Sequence, residues 1–212
     1  MTERPQSPGE EIANSLSHGL GFVAALASAP ILVLTTAQNG RTLNVIGAAI
    51  FATTMVLLYC ASTIYHAVPH PRAKALLKKL DHGAIFLLIA GTYTPFTLGA
   101  LSGPWGWTLL SVVWSLAVVG VTLKACDRIE HPLASLGLYL VMGWLCLVAL
   151  EPLLERVPLQ GLLLLGAGGF AYMAGVAFFA TDSRLRYGHF IWHLFVLTGT
   201  GCHFFAVLGY AA

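Results

Sequence analysis

Three histidines stand in the last apolar run of the chain, in HFIWHLFVLTGTGCHFF at 189–205, a stretch without Lys, Arg, Asp or Glu. His189 and His193 are four residues apart, so on a helix they share a face with Cβ atoms roughly 5–6 Å apart, and both can reach one ion. His66, in YCASTIYHAV at 59–68, would add a third nitrogen from an independent segment. Three protein ligands with one open position is the pattern of a catalytic zinc site. Neutral imidazole also suits copper, iron and nickel, so the spacing favours zinc without excluding them. Ser62 precedes His66 by four residues, which sets a hydroxyl one turn deeper on the same face, placed to orient a ligand or the metal's water. Asp81, in KKLDHGAIF at 78–86, could hydrogen-bond a histidine or that water, or take its proton. His203 lies ten residues beyond His193, about 15 Å further along a helix axis, so it needs another role.

The elements that must position these groups follow from composition. Of 212 residues, 57% are hydrophobic and 9% charged, and the mean hydropathy is +0.78, against about 25% charged residues in an ordinary soluble domain. This predicts a membrane protein. The net charge of +2 is too small to suggest a nucleic-acid surface. Cys60, Cys126, Cys146 and Cys202 are scattered, which implies neither a disulfide framework nor a thiolate metal site. The opening MTERPQSPGEEIANSLSHG has no basic n-region or cleavage site, so no signal peptide is expected.

A crossing helix needs about 20 mainly apolar residues. Charge-free intervals of that size occur at 19–40, 42–69, 131–150, 157–181 and 187–212. A longer one between Asp81 and Lys124 is divided by GALSGPWGW at 99–107, whose Gly, Pro and Trp suit a turn at a headgroup interface. The expectation is an all-α fold, a single seven-helix transmembrane domain spanning 1–212, with 1–17 as a short cytoplasmic segment. With the N-terminus inside, Arg4, Arg72, Lys74, Lys78, Lys79, Lys124, Arg128, Arg184 and Arg186 fall on the cytoplasmic side, and only Arg41 and Arg156 fall outside. Nine against two predicts N-in and C-out.

In this topology His66 ends the second span, Asp81 and His82 open the third, and His189 and His193 open the seventh. All then lie at one depth, just inside the cytoplasmic leaflet. Plainer readings stand beside each: an interhelical hydrogen bond for a lone intramembrane histidine and for His203 above all, a helix cap for Asp81, packing for Ser62, and solvation for His70 and His131. The run PRAKALLKKLD at 71–81 reads as an interfacial segment attracted to anionic lipid.

EEIANSLSHGLG at 10–21, STIYH at 62–66, LDHGAIFLLIAGTYTPF at 80–96 and HFIWH at 189–193 together resemble the hemolysin III family, the bacterial branch of the progestin and adipoQ receptor family. The resemblance covers essentially the whole chain. It implies Zn2+ held by His66, His189 and His193, with Ser62 and Asp81 beside it as catalytic groups. Glu11, Asn14, His18 and His82 match further motif positions whose role the resemblance leaves open. The similar adiponectin receptors and alkaline ceramidases suggest zinc-assisted hydrolysis of a lipid amide, with membrane lipids as partners and as the source of substrate. Two other readings stay open: a metal-clamped, non-enzymatic regulator of membrane lipid or energy state, and a cytolysin.

Overall fold

The computed structural model describes residues 4–129 and 132–211, and these are helical with no strand among them. The helices are α1 (Pro8–Asn39), α2 (Thr42–Ala67), α3 (Pro71–Leu98), α4 (Pro104–Ala125), α5 (Pro132–Trp144), α6 (Leu150–Arg156), α7 (Leu159–Thr181) and α8 (Gly188–Tyr210), with a 3-10 turn, Leu145–Ala149, joining α5 to α6. Six stretches are long and apolar enough to cross a membrane: α1, α2, α4, α7, α8 and the composite Leu133–Arg156. Their apolar side chains are turned outward, with Leu20 73% and Phe170 76% exposed. In water that surface would be untenable, and in lipid it is ordinary, so the chain is a multi-pass membrane protein.

The remaining long helix, α3, is not among the six. It carries Asp81, His82 and several threonines, and it packs against α2, α4, α5 and α8, so protein rather than lipid surrounds its polar groups. Two apolar clusters meet on it. One joins Phe51, Met55 and Leu58 of α2 to Leu88 and Phe96 of α3 and Val196 of α8. The other joins Phe86 and Ala90 of α3 to Val113 and Ala117 of α4 and Tyr139 and Met142 of α5.

Two boundaries differ from the sequence expectation. Helix α1 begins at Pro8 rather than near residue 19, so most of the expected cytoplasmic segment is helical. Ser7 caps it, with its own N–H donating to Glu10 Oε2 at 2.9 Å and Pro8 in the first turn, a reciprocal capping box. Glu11, Asn14 and His18 are therefore positions on a helix face. Helix α3 begins at Pro71, so Asp81 and His82 do not open it. Proline at the start and the strong helix formers of PRAKALLKKLD carry the helix beyond the apolar interval. The cap is His70, which is exposed, and the reading of Asp81 as a helix cap is overturned. His131 lies outside the described residues.

The break between α5 and α6 has a local cause. Tyr93 of α3 donates its hydroxyl proton to the Met142 and Gly143 carbonyls, at 2.9 and 2.8 Å, and accepts from the Cys146 N–H at 3.0 Å. A side chain inserted into the helical ladder tightens the next turn.

Helix contact depends on glycine at some positions and not at others. A Cβ on Gly47 would stand 2.8 Å from Pro95 Cα, backbone that cannot move aside, whereas one on Gly166 would meet nothing within 4 Å. Gly47→Val is therefore expected to destabilise the α2–α3 contact by about 1–3 kcal/mol, seen as a lower unfolding midpoint in detergent, while Gly166→Ala leaves the midpoint unchanged or slightly raised.

Candidate metal centre

His66 sits in the last turn of α2, and His189 and His193 in the first two turns of α8. The fold brings the three together: one nitrogen from each lies within 4.8 Å of the others. Ring centroids are 5.2 Å apart for His66 and His189, 5.1 Å for His66 and His193, and 4.7 Å for His189 and His193. His66 is 5% exposed and His193 1%.

Each imidazole is held by the same ring atom. His66 Nδ1 donates to Glu11 Oε2 at 2.7 Å, and His189 Nδ1 to Asp182 Oδ2 at 2.9 Å. His193 Nδ1 donates to the Asn14 carbonyl at 3.2 Å and lies 3.1 Å from Ser17 Oγ, whose own proton goes to the same carbonyl at 2.8 Å. Nδ1–H tautomers leave three Nε2 lone pairs for the shared space, and His66 Nε2 is buried without a partner. Metal-binding histidines are typically fixed through the second nitrogen in this way, by a carboxylate or carbonyl. Zinc–nitrogen bonds of 2.0–2.1 Å in a tetrahedron put ligand nitrogens roughly 3.4 Å apart, within reach of small ring rotations here. The donor set therefore fits a borderline divalent metal such as zinc.

The supports come from elements that the ligands do not share. Glu11 bridges His66 to Lys74 of α3, with Lys74 Nζ 2.9 Å from Oε1. Lys74 also donates to the Tyr65 carbonyl at 3.1 Å. Asp182 is returned to His189 by a tight connection in which the Arg184 and Leu185 N–H groups donate to the Thr181 carbonyl, at 2.9 and 3.0 Å. Tyr187 takes a left-handed conformation there, with φ of 60°. That conformation is costly for a non-glycine residue, and it persists only where surroundings enforce it. Glu10 does so, accepting from the Tyr187 N–H at 2.9 Å while Arg4 grips it at 2.6 and 2.9 Å.

The other expected residues divide. Ser62 is fully buried, and its hydroxyl lies beside the Asp81 carboxyl without meeting it in good hydrogen-bond geometry. Asp81 is 6% exposed, with Ser62 and His189 as neighbours. His18 stacks on His193 with centroids 3.5 Å apart and meets the Tyr59 ring edge-on at 5.1 Å, and neither of its nitrogens has a partner. The Asn14 side-chain amide donates to Gln6, so what it gives His193 is its carbonyl. His82 stays outside the three-histidine group, one residue and about 100° around α3 from Asp81. His203 makes the expected interhelical bond, its Nε2 donating to the Leu165 carbonyl of α7 at 3.3 Å. Gly168 permits that approach, since a Cβ there would overlap the His203 ring.

Sequence reasoning missed Asp182, Glu10 and Ser17. Asp182 and Glu10 had one available signal, acidic groups at the membrane end that carries the histidines. Ser17 had none beyond lying three residues after Asn14.

A multi-pass helical membrane protein with a buried three-histidine group joining its second and last helices is thus defined by fold and site together. Residues 7–204 match the family model described as Haemolysin-III related, and the chain belongs to that family. It is 43% identical over 210 residues to Hemolysin-3 of Bacillus cereus, covering 99% of this chain and 95% of that protein. It is 42% identical over 201 residues to a Hemolysin-3 homolog of Bacillus subtilis (strain 168), covering 95% and 94% respectively. A human relative, Monocyte to macrophage differentiation factor, is 27% identical over 212 aligned residues, 95% of this chain and 84% of its own.

Elemental analysis of detergent-purified protein is expected to find one divalent ion per chain, lost in His66→Ala and in the double variant His189→Ala/His193→Ala. Glu11→Gln and Asp182→Asn, which keep the ligands but weaken their orientation, are expected to lower metal affinity by about 10–100-fold.

Proposed function

We propose that the chain is a zinc-dependent hydrolase of a lipid amide, acting in the cytoplasmic half of a bacterial inner membrane. The observation that carries the reading is a pairing: three clustered imidazoles, His66 among them with a buried Nε2 that has no partner, beside the buried Asp81 carboxyl and the Ser62 hydroxyl. Zinc held by His66, His189 and His193 would supply Lewis acidity toward the amide carbonyl and a lowered pKa for nearby water. Asp81 orients that water and takes its proton, then returns it to the leaving amine. Ser62 donates its hydroxyl proton to the carbonyl oxygen as negative charge builds there. His18, stacked on His193, closes the side toward α1 and keeps the ring from turning.

The orientation belongs to the same proposal. Seven crossings with the N-terminus inside put the nine basic residues on the cytoplasmic side. The three-histidine group then lies at the depth of lipid linkages, where an amide between a polar head and an acyl chain would sit.

A second reading is favoured by how the ligands are distributed. They come from α2 and α8, and their Nδ1 partners from α1 and the α7–α8 connection, so one ion would clamp four parts of the bundle. A clamp of that kind supports a regulator of membrane lipid or energy state without turnover.

The two separate on Asp81→Asn and Ser62→Ala. The hydrolase reading expects both variants to keep the metal, and Asp81→Asn to lose about 10²–10⁴-fold in turnover of long-chain acyl amides. No turnover of an acyl-amide panel by fully metallated wild type, together with a sharp fall in unfolding midpoint on chelation, would leave the clamp.

A further inference from the structure

At the end of the bundle opposite the histidines, the outward surfaces of α2, α3 and α4 enclose an open groove of about 380 Å³. Its walls include Leu43 and Ile46 of α2, Leu98 of α3, and Trp107, Ser111 and Trp114 of α4. The polar group at its floor is already satisfied: Thr94 Oγ1 donates to the Ala90 carbonyl at 2.8 Å and accepts from Trp114 Nε1 at 3.1 Å. The groove therefore offers an occupant hydrocarbon contact and almost nothing to hydrogen-bond, and its volume is that of a ligand site rather than of a packing gap.

What distinguishes this groove from any other lipid-facing crevice is its mouth. Arg41 precedes α2 just before the groove residue Leu43, and its Nη2 donates to Ser102 Oγ at 3.4 Å. Arg156, at the end of α6, donates Nη1 to the Ser102 carbonyl at 3.3 Å. Two guanidinium groups thus converge on one residue of the α3–α4 connection, just before the first turn of α4 that carries Trp107. Neither forms an ion pair among the described residues, Glu151 and Glu155 on the same end included. Each guanidinium has five N–H donors, and most of them remain for an outside acceptor. These are also the two cations that the charge asymmetry leaves on their side of the membrane. A paired positive mouth above a dry channel is complementary to a molecule with an anionic head and a long apolar tail.

We propose that this groove binds one anionic glycerophospholipid, with an acyl chain between α2 and α4 and the phosphate on Arg41 and Arg156. Arginine suits the head because its planar fork meets phosphate oxygens in pairs, and Trp107 suits the level of the headgroup. The site is separate from the histidines. Bound lipid would brace the α3–α4 connection, through which Ser102 receives both arginines.

The test uses delipidated full-length protein in neutral detergent, titrated with dioleoylphosphatidylglycerol or dioleoylphosphatidylcholine and read by native mass spectrometry and by the unfolding midpoint. Wild type is expected to retain one phosphatidylglycerol with a preference on the order of tenfold over phosphatidylcholine, and inorganic phosphate alone is expected not to displace it. Arg41→Gln/Arg156→Gln should abolish the preference while keeping the midpoint of the lipid-free protein, because both side chains are at the surface. Ser111→Trp, which fills the channel and leaves the arginines, should weaken both lipids alike. Equal retention of the two lipids by wild type, an unchanged preference in the double arginine variant, or displacement by phosphate alone would overturn the assignment.

Discussion

The interaction on which this structure depends is the hydrogen bond that holds each of the three clustered imidazoles by its Nδ1 inside a membrane protein. An unmet polar group there is not rescued by water, and leaving one costs about 1–3 kcal/mol even in soluble interiors. Three rings share one space in this chain, and each satisfies Nδ1 outside the helices that carry the rings: on Glu11 and the Asn14 carbonyl of α1, and on Asp182 in the α7–α8 connection. Those demands explain features otherwise unrelated. Helix α1 must extend beyond its apolar interval, because its first three turns carry Glu11, Asn14 and Ser17. The connection before α8 must fold tightly, because Asp182 has to return seven residues to His189. The left-handed backbone at Tyr187 follows from that turn, and the Glu10 carboxylate holds it.

Helix α3 serves the same constraint differently. It is the least apolar of the long helices, and surrounding protein is what makes it tolerable in lipid. Being central, it can bring Asp81 beside the second and last helices, and it can send Tyr93 into the backbone of the α5–α6 segment. Its end remote from the histidines closes against the end of α8, where Ala100 N–H donates to the Ala211 carbonyl at 3.0 Å. Rigid support at both ends lets a site made from distant segments hold its geometry.

How much of this the sequence disclosed depends on whether the signal was local. The i, i+4 pair His189 and His193 is a helix property, and His66 could be added because charge-free intervals set its depth. The helical rods were readable for the same reason, and GALSGPWGW marked the α3–α4 turn. Helix ends were not readable from charge, because a helix continues past the hydrocarbon wherever caps and propensity allow. That is why α1 begins at Pro8 and α3 at Pro71. The Nδ1 partners were hidden for another reason. Asn14 contributes a carbonyl, which every residue possesses, and Asp182 becomes a partner only once a turn has folded. Glu11 stood in a recognisable motif, yet its role appears only when α1 lies against both His66 and Lys74.

The balance between enzyme and clamp turns on groups that a clamp has no use for. A purely structural ion needs ligands and the partners that orient them, and Glu11, Asp182 and the Asn14 carbonyl meet that need completely. Asp81 and Ser62 orient none of the three rings. Yet both are buried, with the serine hydroxyl beside the Asp81 carboxyl. An apolar pair of the same shape would pack there without the cost of desolvating an acid and a hydroxyl. Such a cost persists most readily where the groups act on something that binds between them and the histidines, and an acid with a hydroxyl donor is one pair that can serve amide hydrolysis.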